Sequence, residues 1–157
     1  MNNILGDILG DPHFPEGSAW KRRSFSNNDI IVEEGQEGGS LFFIEEGQLR
    51  VTGNVELEEN KHIQPGIWEL SAGEIFGEIA LYESQLRTAS VRATSKGNLV
   101  EINGDKLGIY LDAHPSLGYL FYKDLFEILI SRLNRANHRV NDLFAWGLKV
   151  HGIEQDL

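Results

Sequence analysis

At 157 residues, with 41% hydrophobic and 24% charged residues, the chain has room for one globular domain with its own core; two full domains and wholesale disorder are both out of keeping with it. Fourteen Lys and Arg against 24 Asp and Glu leave a net charge of -10, which argues against a nucleic-acid surface, because phosphate neutralisation needs a concentrated basic face. The absence of cysteine excludes disulfides and cysteine-based zinc or iron–sulfur centres. Apolar runs such as Leu41 to Ile44 are far too short to span a bilayer, and Met1-Asn2-Asn3 lacks the basic start of a secretory signal, so no membrane partner is expected and a cytoplasmic location is the default.

In chain order, residues 1–19 carry Ile4, Leu5, Ile8 and Leu9 at helical spacing and then a Pro/Gly-rich turn, which predicts an N-terminal helix. Lys21-Arg22-Arg23, the one tight basic run, reads as a solvated strand edge. From residue 20 to 103 the pattern changes to short β-branched and aromatic stretches punctuated by glycines, the signature of a sandwich or barrel of about eight strands. Residues 104–145 read as helical: a short helix over 105–112, then a long one that enters at His114-Pro115 and runs from about 116 to 144. On the long helix Tyr119, Tyr122, Phe126, Leu129, Leu133, Ala136, Val140 and Leu143 follow alternating steps of three and four, the spacing of a coiled-coil seam, and predict a homodimer. Leu117, Leu120, Phe121, Leu125 and Ile128 give its first half a second apolar side. The stretch 146–157 has no clear period and is read as a tail.

The stretch from Phe76 to Ala93 carries the chemistry. A strand ends at Phe76, Gly77 permits a sharp reversal, and Ile79 to Glu83 can form one helical turn whose first N–H groups attract an anion, with small Ala80 allowing close approach. Arg87, ten residues after Gly77, can bring a planar cation to the same anion. Glu78 is at odds with a simple anion site, and a ligand offering both a phosphate and a neutral hydroxyl, such as a ribose phosphate, resolves the conflict. The plain alternative is that Glu78 and Arg87 form an ion pair bracing a turn.

These residues resemble the cyclic nucleotide-binding domain family, through its phosphate-binding cassette: Phe76-Gly77-Glu78-Ile79-Ala80-Leu81 followed by Arg87-Thr88-Ala89-Ser90-Val91-Arg92-Ala93. The strand and turn from Gly39 to Gly47 and the His114-Pro115 helix entry extend the resemblance over about residues 20–145. It implies a mainly β fold with flanking helices, a jelly-roll-like β barrel (double-stranded β-helix) with a long C-terminal helix. It implies that Arg87 binds the exocyclic oxygens of a cyclic phosphate, that Glu78 accepts a hydrogen bond from the ribose 2′-OH, and that Gly77, Ile79, Ala80, Thr88 and Ala89 supply backbone N–H groups or close approach. Asn137, with Ala136 beside it, falls near the base-contacting positions of the long helix. The ligand implied is cAMP first and cGMP second, with no further cofactor and an unnamed downstream protein as partner.

Two departures stand out: Leu86 replaces the proline common before the arginine, and only thirteen residues follow Phe144, which leads to the expectation of a stand-alone sensor without a DNA-reading part. Catalysis is not expected. His13, His62, His114, His138 and His151 form no close pair for a metal, and no G-x-S-x-G elbow occurs. The competing expectation is a structural or protein-interaction module of the same fold that dimerises without nucleotide.

Overall fold

The computed structural model describes residues 1–53, 55–56, 62–63, 66–82 and 85–152. Glu83 and Ser84 of the expected cassette, and the last five residues of the expected tail, lie outside them. Among the described residues, helix α1 (Asn2–Leu9) precedes twelve strands: β1 (Trp20–Phe25), β2 (Ile30–Val32), β3 (Glu37–Gly38), β4 (Ser40–Glu46), β5 (Gln48–Thr52), β6 (Val55–Glu56), β7 (His62–Ile63), β8 (Gly66–Ser71), β9 (Ile75–Phe76), β10 (Gln85–Leu86), β11 (Ser90–Ala93) and β12 (Gly97–Asn103). Helices α2 (Gly104–Ala113) and α3 (Pro115–His151) follow. The chain divides into two compact units, one of Asn2–Pro115 and one of Met1 with the residues from Ser116 on.

Within the first unit, β1-β12-β4-β9 form one four-stranded sheet and β2-β11-β5-β8 the other, with β10-β3 and β6-β7 as short pairs. All pairings are antiparallel. Phe25, Phe42, Ile44, Phe76 and Leu99 of the first sheet and Ile31, Leu49, Leu70, Val91 and Ala93 of the second make one buried cluster. Alternation along each strand sends these side chains inward, and sealing them from water is what holds the two sheets face to face. The sheets are not closed into a barrel, but the architecture is of the expected jelly-roll kind.

Two sequence expectations change. Among the described residues the strand count is twelve against about eight expected, and five of the twelve, β3, β6, β7, β9 and β10, are two-residue pairings, too short for a period of two to register in the sequence. The last strand, β12, ends at Asn103 and α2 begins at Gly104, and α2 lies in the first unit with the strands. It starts where the Asn103 side chain accepts a hydrogen bond from the Lys106 N–H at 2.9 Å. The long helix runs to His151, seven residues past the expected end at 144, so 146–151 is helix and not tail. Apolar periodicity was the guide to its end, but a helix continues wherever nothing breaks it; here Lys149 and His151 complement the last turn and Gly152, at φ +68°, ends it. On α3 the second apolar side is mixed, with Phe121 and Leu125 buried and Leu120 exposed, whereas Tyr119, Tyr122, Phe126, Leu129, Leu133, Val140 and Leu143 of the seam are all exposed.

The turn after α1 is tied to α2 by a hydrogen bond of 2.6 Å from the Tyr110 hydroxyl to Asp11 Oδ2. That bond leads the influences lowering the Asp11 pKa from 3.8 to about 2, followed by the His13 N–H, while burial, ahead of Asp11, pushes the Tyr110 pKa from 10.0 up to about 12. A carboxylate held low contributes stability above its unfolded pKa and loses it as pH falls through the folded value; a phenol held high contributes below its unfolded pKa and loses it as pH rises through the folded one. Tyr110→Phe is therefore expected to lower the thermal midpoint by a few degrees at neutral pH. The gap from wild type should narrow as pH falls from about 4 toward 2. A gap that stays constant across that range in pH-dependent melts contradicts this.

Candidate functional site

The stretch after β9 folds as its residue types require. Gly77 takes up a left-handed conformation (φ 75°, ψ 20°) that residues with a Cβ rarely adopt, and it opens a 3₁₀ turn over Glu78–Leu81. The Ala80 N–H donates to the Gly77 carbonyl at 3.1 Å and the Tyr82 N–H to Ile79 at 2.9 Å. The N–H groups at the start of such a turn have no acceptor within it. Ala80 is buried, and its carbonyl packs so closely on Gly104 that a Cβ there would lie 2.4 Å from it. The start of α2 thus braces the turn.

Arg87 returns to the same place by another route. Its predecessors in β10 pair with β3, Gln85 opposite Gly38 and Leu86 opposite Glu37. The Arg87 N–H donates to the Gln36 carbonyl and its own carbonyl accepts from the Gly35 N–H, both at 2.8 Å. With the backbone pinned, the side chain lies across Gly38, where a Cβ would fall 1.9 Å from Nε. Nη2 donates to the Ser40 carbonyl at 2.8 Å, and Cζ stands 5.5 Å from the centre of the Phe42 ring, itself stacked on Phe76. A Cβ on Gly77 would meet Nη1 at 3.0 Å, so the guanidinium adjoins the start of the turn.

The half-buried guanidinium has part of its hydration replaced by these contacts. Burial pulls its pKa down from the ordinary value, and Glu101 and then Glu78 oppose the shift. It stays cationic, and its remaining donors suit a planar or tetrahedral oxyanion.

Of the residues singled out in the sequence, Gly77, Glu78, Ile79, Ala80 and Arg87 are brought together by these contacts. Glu78 is half-buried at the head of the turn and Ile79 is exposed. Thr88 is exposed and Ala89 half-buried in the bend between Arg87 and β11. Asn137 is exposed on α3, in the other unit. Gly38, Ser40, Phe42 and Glu101 were not singled out, though each bears on Arg87. The readable signal was the glycine pair Gly38-Gly39 before a strand, and a charged residue at position 101 among Leu99, Val100 and Ile102. Among the described residues no three His, Asp or Glu side chains cluster as a metal site would require.

Residues 22–114, from β1 to the end of α2 and the whole turn-and-arginine stretch, match the family described as the cyclic nucleotide-binding domain. The chain belongs to that family. The domain is 30% identical over 151 residues to the mouse potassium/sodium hyperpolarization-activated cyclic nucleotide-gated channel 2, which covers 94% of this chain but 15% of the channel. Its fold is shared by a cyclic nucleotide-binding domain from Methylobacillus flagellatus (TM-score 0.68, 24% identity, 78% of this chain and 66% of that one). The Thermus thermophilus catabolite activator protein is similar too (TM-score 0.67, 20% identity, 91% and 60%). Domains of this fold are typically regulatory rather than catalytic. No helix among the described residues is long and apolar enough to cross a membrane.

Proposed function

We propose that the domain is a cyclic nucleotide sensor with cAMP as its first ligand and cGMP as its second, signalling through its C-terminal helix. The observation that carries this is the placement of the Arg87 guanidinium beside Gly77 at the head of the turn, which sets a cation where the small residues Gly77 and Ala80 allow an anion close approach. In this reading Arg87 binds the exocyclic oxygens of the cyclic phosphate. Gly77, Ile79, Ala80, Thr88 and Ala89 line the phosphate with backbone, and Glu78 accepts from the ribose 2′-OH. Asn137 on α3 covers the base. Ligand binding shifts the population of α3 positions, which a downstream protein reads. The exposed seam on α3, from Tyr119 to Leu143 at alternating steps of three and four, supports a homodimer, since a second copy offers the same spacing. The signalling role fits a cytoplasmic location.

Glu78→Gln tests the ribose assignment. Wild type should prefer cAMP over its 2′-deoxy analogue by tenfold or more, because the analogue lacks the hydroxyl that donates to Glu78, and Glu78→Gln should lose most of that preference. An unchanged ratio in competition titrations removes Glu78 from the ligand's contacts. Hydrogen exchange along α3 should differ with and without nucleotide, and identical exchange contradicts the signalling route.

A further inference from the structure

Beneath Arg87 lies a charge cluster that the ligand contacts do not use. In β12, Glu101 pairs directly with Phe42 of β4 on one side and Lys21 of β1 on the other. Directly opposed residues of antiparallel strands share a face, so Lys21, Glu101 and Phe42 stand in one row, and the guanidinium of Arg87 lies over the last of them. Glu101 Oε2 is buried and accepts no hydrogen bond among the described residues. It sits 3.4 Å from Lys21 Nζ and 3.6 Å from Arg23 Nη1. Its ion-pairing partners lie on the edge strand, with Lys21 largely exposed, so solvent weakens their hold on the half-buried carboxylate. The carboxylate therefore keeps a negative potential that reaches the guanidinium, where it outranks Glu78 in supporting the cation.

We propose that Glu101 is the counter-charge of Arg87: it lowers the affinity of that guanidinium for an anionic ligand, and Lys21 and Arg23 set by how much. The basic run Lys21 to Arg23 thereby acquires a role for its first and third members, while Arg22 pairs with Glu45 instead. The inference rests on Arg87 being the phosphate-binding cation. Arg87 is positioned without Glu101, by Ser40, Phe42 and Gly38, so removing the Glu101 charge frees the guanidinium for the ligand and does not misplace it. For a charge one strand removed from the Phe42 ring beneath the guanidinium, screened between protein and water, the effect is about three- to tenfold in affinity.

Calorimetric titration with cAMP compares wild type with Glu101→Gln, Glu101→Asp and Lys21→Gln. Glu101→Gln should bind about three to ten times more tightly, with a gain that shrinks as salt rises. Lys21→Gln should bind more weakly, and Glu101→Asp should stay near wild type. Damaged packing weakens binding, so a merely structural role cannot produce the tightening. Equal or weaker binding in Glu101→Gln, with wild type binding normally, overturns the proposal. A second arm needs no nucleotide: the Arg87 ¹⁵Nε–¹H resonance, assigned by its loss in Arg87→Lys, is titrated with inorganic phosphate. Saturation at lower phosphate in Glu101→Gln supports the counter-charge even where cAMP and cGMP fail to bind wild type, a result that strikes only the nucleotide reading. Saturation at the same or higher phosphate, or no response in either protein, overturns the counter-charge.

Discussion

Arg87→Ala is expected to weaken cyclic nucleotide binding by about 2–5 kcal/mol, roughly 30-fold to several thousandfold, with the fold intact. The size follows from what surrounds the guanidinium. Half-buried over Phe42 and bonded to the Ser40 carbonyl, it has already given up part of its hydration, so a phosphate that reaches it meets donors in place and little ordering cost. Arg87→Lys retains the charge but not the planar fork, and its loss should be intermediate. Titration calorimetry of the three proteins checks the order. A loss of less than tenfold for alanine removes Arg87 from the phosphate.

Gly38→Ala is expected to reproduce most of that loss without touching any group that contacts the ligand. A Cβ at this position would lie 1.9 Å from Nε, 2.2 Å from Cζ and 2.5 Å from Nη2 of Arg87. All three atoms are the far end of a long side chain, so the chain can yield by swinging the guanidinium away at small cost in folding. Gly38 has an ordinary backbone conformation, open to alanine. The expected outcome is a thermal midpoint within about two degrees of wild type together with affinity about 10- to 100-fold lower. A variant that binds nucleotide like wild type means that the guanidinium does not need to lie across Gly38. Gly77→Ala is the poorer test, because its φ of +75° would strain the backbone as well.

The contrast between these two positions shows what the sequence made legible. The Gly77 reversal, the short turn after it and the approach of Arg87 could be read locally, because glycine, small residues and a cation within ten positions constrain one another through the chain itself. The β-rich centre was equally readable from its glycine-spaced apolar stretches. Ser40 and Gly38 were not, since their bearing on Arg87 depends on β10 pairing with β3, a register fixed across 47 residues. Glu101 is the same case at greater range: it looks like one acid in a strand until β12 is placed between β1 and β4, which aligns it with Lys21 and Phe42. The helix end failed for a different reason. Periodicity reports which face of a helix meets other groups, and α3 continues from Ala145 to His151 without a clear apolar period to mark it.

The most direct test of the sensor is a titration of the purified chain with cAMP and with cGMP at fixed salt. Saturable one-to-one binding, with cAMP the tighter of the two and both lost in Arg87→Ala, is the predicted result. Absence of heat and of competition with either nucleotide contradicts the sensor and favours a module that works through the exposed seam of α3.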